Sequence, residues 1–359
     1  YLISTISSLF YKNEKISLRL REFYPILGII FCFDSKIIYF KVCCFPAYVN
    51  LDKFTSFFLR RWQSDCIMSL RKQRPLLASL WMIGALVSIS GMAIAGRELS
   101  SELNAFQISF IRSLFCLIAL IIILSFIGFN KVKTAKPKLH VLRNTIHFGG
   151  QTGWLYGVAF LPLAEVFAIE FTAPIWTAIL AVIFLKEPLT RYRTLAILLG
   201  FAGIMIILRP GIQIIQPAAL VVLFATFCFA STYVFTRHMA ATESPLTIIF
   251  YMNLVQLPIG FIASLPSWNY PTLESWPWVL LIGLTGLGSH FCFAHAFRHA
   301  DAAVVSPLDF MRLPLIALVG WAIYNESWDM MIFMGGIIIF SGNLINLLTE
   351  QKSAKKSIK

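Results

Sequence analysis

From Met68 onward the chain alternates apolar runs of about twenty residues with short polar breaks, and this pattern constrains the fold more than any other feature. Wound as helix at 1.5 Å per residue, such a run covers about 30 Å, the hydrocarbon thickness of a bilayer. Ten runs are read, near 76–96, 104–127, 141–160, 163–185, 192–209, 216–236, 245–265, 277–297, 302–324 and 330–348. Composition agrees: 58% of residues are apolar and only 13% are Asp, Glu, Lys or Arg, roughly half the usual charged share. A surface with so few charges does not hold a folded chain in water, so its solvent is mostly lipid. Soluble enzymes, fibrous chains, disordered chains and disulfide scaffolds are excluded at this step. The expected fold class is an all-α polytopic membrane protein with ten transmembrane helices.

The basic residues orient it. Arg71, Lys72 and Arg74 precede the first run, Lys131, Lys133, Lys136 and Lys138 follow the second, and Lys186, Arg191 and Arg193 follow the fourth. Arg237 follows the sixth, Arg298 the eighth, and Lys352, Lys355, Lys356 and Lys359 close the chain, whereas the alternate breaks hold only Arg97 and Arg209. Positive charge is retained on the cytoplasmic side, which predicts a multi-pass inner (plasma) membrane protein with both termini in the cytoplasm. The same asymmetry accounts for the net charge of +13 without nucleic acid as a partner. Trp268, Trp276 and Trp278 flank the break between the seventh and eighth runs, where indoles anchor at the interface.

Residues 1–67 do not share this pattern. They hold none of the ten methionines but four of the seven cysteines, and their apolar stretch at 24–33 is too short to span. They are expected to be a non-native or upstream-translated extension, with Met68 the working start; the alternative is a disordered or interfacial extension. Cys116, Cys228 and Cys292 sit singly in apolar runs and are read as packing residues.

The halves of the remainder repeat. Shifting the chain by 139 residues lays LPLAEVFAIEFTAPIWTAILAVIFLKEPL over ADAAVVSPLDFMRLPLIALVGWAIYNESW, so that Glu170 falls on Asp309, Phe171 on Phe310 and Glu187 on Glu326. Gly149 falls on Gly288 and Gly203 on Gly342, and a shift of 140 lays Arg97 on Arg237. Five spans per half is an odd number, so the halves are expected to be inverted relative to one another, a plan of alternating-access transporters with the substrate site at the repeat interface. The predicted domains are 68–210 and 211–350, followed by a basic tail at 351–359. Two inverted five-span repeats, a Glu closing spans 4 and 9 (FLKEP, IYNES) and the small-residue stretch LLGFAGIMIILRPG resemble the EamA-type drug/metabolite transporter superfamily. The resemblance covers about 76–350. It implies a secondary carrier with no ATPase, in a group similar to carriers of amino acids, nucleotide-like cofactors, riboflavin, sugars and drugs, and it makes Glu187 and Glu326 fold markers. Their own position makes them solvated caps or gate residues.

A charge inside a span costs at least about 2.5 kcal/mol at mid-membrane, so each one asks for a reason. Glu170 lies about 13 Å into span 4 at the helical rise, and Asp309 lies at a similar depth in span 9. Removing a carboxyl from water favours its protonated form, a property suited to proton coupling; pairing with a cationic solute and static ion pairing are the alternatives. Arg312, three residues beyond Asp309, shares its helical face, and Ser306, Pro307 and Pro314 loosen the backbone ladder around both. Thr172 and Pro174 give span 4 a milder version. Arg112, eight residues into span 2, is suited either to a substrate carboxylate or to the Glu170 charge. Glu165 is read as a rim residue. Span 3 (TIHFGGQTGWLYG) offers His147, Gln151, Trp154 and Tyr156, and span 8 (GSHFCFAHAF) offers His290 and His295, as lining for a ring-bearing or amino-acid-like solute or as interhelical hydrogen-bond donors.

His290 and His295 are five residues apart, which separates them by about 140° around a helix, and there is no H-E-x-x-H, G-x-S-x-G or phosphate-loop motif. No metal, cofactor or catalytic residue is therefore expected. The reading is a secondary active transporter of a small organic metabolite, its buried acids suited to coupling to a proton or other ion, working as monomer or homodimer; exporter, channel and membrane enzyme are the rivals.

Overall fold

The computed structural model describes residues 74–185, 189–211, 214–240, 242–300 and 302–358. The expectations for 1–67 and for Glu187 lie outside the described residues. Those residues form twelve α-helices and no β-strand: α1 (Pro75–Leu99), α2 (Ala105–Ile127), α3 (Pro137–Phe160), α4 (Leu163–Glu170), α5 (Ala173–Leu185), α6 (Arg191–Leu208), α7 (Pro217–Met239), α8 (Pro245–Ser264), α9 (Trp276–His299), α10 (Ala302–Asp309), α11 (Arg312–Tyr324) and α12 (Met330–Ile358). Among them lie nine segments long and apolar enough to cross a membrane, two of which join α4 to α5 and Pro307 to the end of α11. The 24 residues of α3 suffice in length, but their polar sequence keeps α3 outside that set.

The helix ends follow local chemistry. Asn104, Thr190 and Ser244 cap α2, α6 and α8 by accepting the N–H groups of Gln107, Arg193 and Thr247. Proline occupies the first turn of α1, α3, α7, α8 and α9, where no helical N–H is needed. Arg209 (φ 44°) and Asn325 (φ 53°) end α6 and α11 in the left-handed region.

Packing follows a pattern that returns to itself when the halves are exchanged. The main pairs are α1 with α9, α3 with α7, α2 with α8, and α6 with α12, while α4 packs on α11. Numbered in chain order, with α4–α5 and α10–α11 each counted as one interrupted segment, these are 1–8, 3–6, 2–7, 5–10 and 4–9; adding or subtracting five maps the set onto itself. Gly203 and Gly335 allow the α6–α12 pair its close approach, since a Cβ on either one would lie 2.7 Å from the other's carbonyl oxygen. The main apolar core runs through both halves, from Leu99 and Phe167 to Ile316 and Ile339, while Leu198, Phe224, Ile262 and Leu284 face outward, as lipid-solvated helices require.

Candidate functional site

Spans 4 and 9 are each broken, and at equivalent places. α4 stops at Glu170 and α5 begins at Ala173; α10 stops at Asp309 and α11 begins at Arg312. Pro174 has no N–H to give the Glu170 carbonyl, nor Pro314 the Phe310 carbonyl, so neither helix closes its ladder across the break. The two breaks meet. Phe171 and Phe310, equivalent under the 139-residue shift, stack with centroids 4.2 Å apart at 20°, and Asn343 of α12 donates to the Phe171 carbonyl at 3.0 Å.

Arg312 is the hub of the charges gathered there. Its guanidinium lies 3.2 Å from Glu170 Oε1 and 3.6 Å from Asp309 Oδ2, and it sits over the rings of Phe167 and Phe171. Trp154 Nε1 donates to the other Glu170 oxygen at 2.8 Å. Two carboxylates and one guanidinium leave the group with a formal charge of −1 when all are ionised. The sequence placed Asp309 with Arg312 correctly on one face; the arrival of Glu170 on the same guanidinium was not visible in it. Arg112 does not serve Glu170. It is buried between α2, α8 and α9, where Nη2 donates to Gln256 Oε1 at 2.8 Å, and Gln256 Nε2 lies 2.7 Å from His147 Nδ1. Arginine only donates, so it fixes the orientation of the Gln256 amide and makes His147 Nδ1 the acceptor.

The other cavity expectations divide. Gln151 is buried and makes no hydrogen bond among the described residues. His290 lies within electrostatic reach of Arg112, Arg143 and His147. Tyr156 does not join them: it is 40% exposed on the outer side of α3 and packs on Phe160. Nor does His295, which stacks on Trp81 at 4.5 Å in the α1–α9 contact and lies tilted against Phe291 at 4.4 Å. In both cases helical phase decides, because residues of one span face different neighbours. Three contributors went unread: Gln256 and Arg143, both polar residues inside apolar runs, which the rule for charges and amides in spans would have found, and Tyr233, within electrostatic reach of Glu170, Arg312, Asp309 and Arg143.

Two cavities lie beyond the breaks. One of about 250 Å³ begins at Pro174, one turn from Glu170, and is lined by Thr177, Tyr233, Arg193, Arg237 and Asn346. The other, about 210 Å³, is lined by Glu165, Gln216, Glu326, Ser327 and Asp329. Glu326 is no solvated cap. It pairs with Arg97 and accepts the Leu163 N–H at 2.9 Å, while Arg97 Nε donates to the Val158 carbonyl at 2.8 Å. Arg209 pairs likewise with Asp329. Both arginines of the sparsely basic breaks are thus neutralised by acids of the second half.

Apolar helices that hold charges and cavities in their interior are the architecture of membrane transport proteins. The EamA-like transporter family model matches the chain twice, over residues 76–209 and 216–348. The chain belongs to that family. It is 30% identical to the S-adenosylmethionine uptake transporter of Rickettsia bellii (strain RML369-C), over 77% of this chain and 96% of that protein. It is 28% identical to the protein of the same name from Rickettsia prowazekii (strain Madrid E), over 76% and 93%. The riboflavin transporter of Vibrio cholerae serotype O1 is 28% identical over 79% and 98%. A protein chain solved by crystallography is similar in fold, with a TM-score of 0.55 at 14% identity, covering 77% of this chain and 98% of that one.

Proposed function

We propose that the chain is a ten-span secondary transporter that takes up a small cationic organic solute by alternating access, and that S-adenosylmethionine is the cargo its interior fits best. The observation that carries this is the Glu170–Arg312–Asp309 group, in which two carboxyls share one guanidinium at the crossing of two broken helices, leaving one negative charge in excess when both are ionised. A cation arriving there offsets a charge that is otherwise costly in the membrane. S-adenosylmethionine carries a sulfonium, an ammonium and a carboxylate, net +1, and its cationic sulfonium suits a site rich in aromatic rings. Riboflavin is uncharged and gives the excess charge nothing to balance, so it is the second reading.

In this proposal α3 is the tenth span and the halves, 68–210 and 211–350, are inverted repeats. The exchange-invariant packing of spans supports it, as does the odd number of spans per half. The basic breaks face the cytoplasm together with both termini. The breaks at Glu170 and Asp309 act as charge-recognition points, Gln151 and His147 line the path, and Glu326 is a gate residue.

The test is uptake of methyl-labelled S-adenosylmethionine by cells expressing the full chain, against cells expressing Glu170→Gln plus Asp309→Asn. Accumulation that the double variant loses is the expected result. Release of label from preloaded cells without accumulation makes the protein an exporter. Riboflavin uptake without S-adenosylmethionine uptake transfers the conclusion to the second reading.

A further inference from the structure

Arg112 is 1% exposed, and its guanidinium has a single hydrogen-bond partner, the neutral amide of Gln256. Its Nε has none. Arg97, Arg209 and Arg312 each face a carboxylate, but among the described residues no carboxylate lies within ion-pair distance of Arg112. Its surroundings add to the charge instead of offsetting it. Arg143, 6% exposed, is bound to Thr236 Oγ1 at 2.9 Å and to Asn144, both neutral, and both arginines lie within electrostatic reach of His147 and His290. The position is closely fitted: a Cβ on Gly286 would lie 3.0 Å from Arg112 Cγ. A buried charge without a counter-ion is a net cost to the folded protein, and removing it from water strengthens its pull on any anion that reaches it.

The interior polar groups therefore sort into two ends. One is anionic, at Glu170 and Asp309; the other is cationic, at Arg112 and Arg143, with Tyr233 in electrostatic reach of both the acids and Arg143. We infer that Arg112 is an anion subsite of the transport path, and that it takes the carboxylate of the solute while the cationic part faces Glu170 and Asp309. A planar carboxylate brings two oxygens to a guanidinium whose Nε is unoccupied, the geometry in which arginine binds best. This deepens the proposed function and rests on it for the identity of the cargo, but not for the role of Arg112.

Two measurements on the full chain separate the two. The first compares uptake of S-adenosylmethionine with that of its decarboxylated analogue. Wild type is expected to favour the carboxylate-bearing compound by about 10- to 100-fold, the worth of a hydrogen-bonded charge, and Arg112→Gln to bring the ratio close to one by weakening S-adenosylmethionine alone. The second is thermal melting of purified, ligand-free protein. Arg112→Met is expected to melt at or above wild type, because it removes an unpaired buried charge, whereas Arg312→Met, which strands two acids, melts lower. Full discrimination in Arg112→Gln, or an Arg112→Met protein that melts as low as Arg312→Met, overturns the inference and makes Arg112 a structural strut. If wild type moves neither compound, the cargo is wrong and the melting comparison still decides Arg112.

Discussion

Glu170 shows how one side chain acquires a role from three helices. Its carboxylate is held by Arg312 from α11 and by the indole N–H of Trp154 from α3, and its own element ends at that residue. Trp154→Phe leaves an aromatic ring beside Phe167, whose centroid lies 5.7 Å from that of the indole, and deletes the N–H together with the second ring of the indole. A hydrogen bond to a charged group contributes about 1.5–3 kcal/mol, so solute affinity is expected to change by roughly tenfold or more, with some loss of melting temperature from the space the indole leaves; a binding isotherm beside a melting curve checks it. Asp309 is more exposed than Glu170, 26% against 15% for the side chains, and farther from the guanidinium. Asp309→Asn alone is therefore expected to reduce uptake less than Glu170→Gln alone. A polar residue in an apolar run marks such a position in the sequence, but the run does not say which partner will meet it.

The elements that matter are the interrupted ones. A proline that has no N–H to give the carbonyl four residues back, at Pro174 and at Pro314, leaves each of the two crossing spans as a pair of short helices joined at a stacked phenylalanine. In a carrier that alternates between two openings, such a junction lets half of a helix tilt while the other half stays packed. Replacing both prolines by alanine restores the missing N–H groups. The expected outcome is a fall in maximal uptake rate of several-fold with solute affinity little changed, measured by transport kinetics beside equilibrium binding. Equal loss of affinity would make the prolines part of the site's shape instead. The prolines were legible in the sequence; the meeting of the two breaks was not.

Across the whole molecule, the end that carries Glu326 is latched. Arg97 joins the carbonyls of Val158 and Leu161 to Glu326, and Glu326 also holds the Leu163 N–H, so α1, α4 and α11 close together. Glu326→Gln keeps the shape and removes the ion pair. A cysteine introduced at Gln216, which lines the adjoining cavity, is expected to react with a membrane-impermeant thiol reagent several-fold faster in that background. The second pair should be insensitive to mild acid. Partial burial pushes the Asp329 carboxyl up, but the Arg209 guanidinium and the Met331 N–H outweigh it and hold the carboxyl below its ordinary value. A depressed carboxylate stabilises the fold above its unfolded value near 4 and loses that contribution only as pH falls through the lower folded value. Lowering the pH from about 7.5 to about 5.5 should therefore leave labelling unchanged where Asp329 is concerned.

The sequence by itself determined the membrane environment, the lengths of the spans and the positions at which polar groups enter them. Each of these is a local property: about twenty apolar residues suffice to cross the hydrocarbon, and a charge among them is visible wherever it falls. It also carried the repeat, because Glu170 and Asp309, like Phe171 and Phe310, keep the same spacing in both halves. Only the tertiary structure decided which charge meets which. Arg97 finds Glu326 across 229 residues, Arg209 finds Asp329 across 120, and Glu170 takes Arg312 rather than Arg112. Those choices depend on the rotation of each helix about its axis and on the depth at which two helices cross. Neither is encoded in the pattern of a single span; both are set by how side chains such as Phe171, Phe310, Gly203 and Gly335 pack between spans.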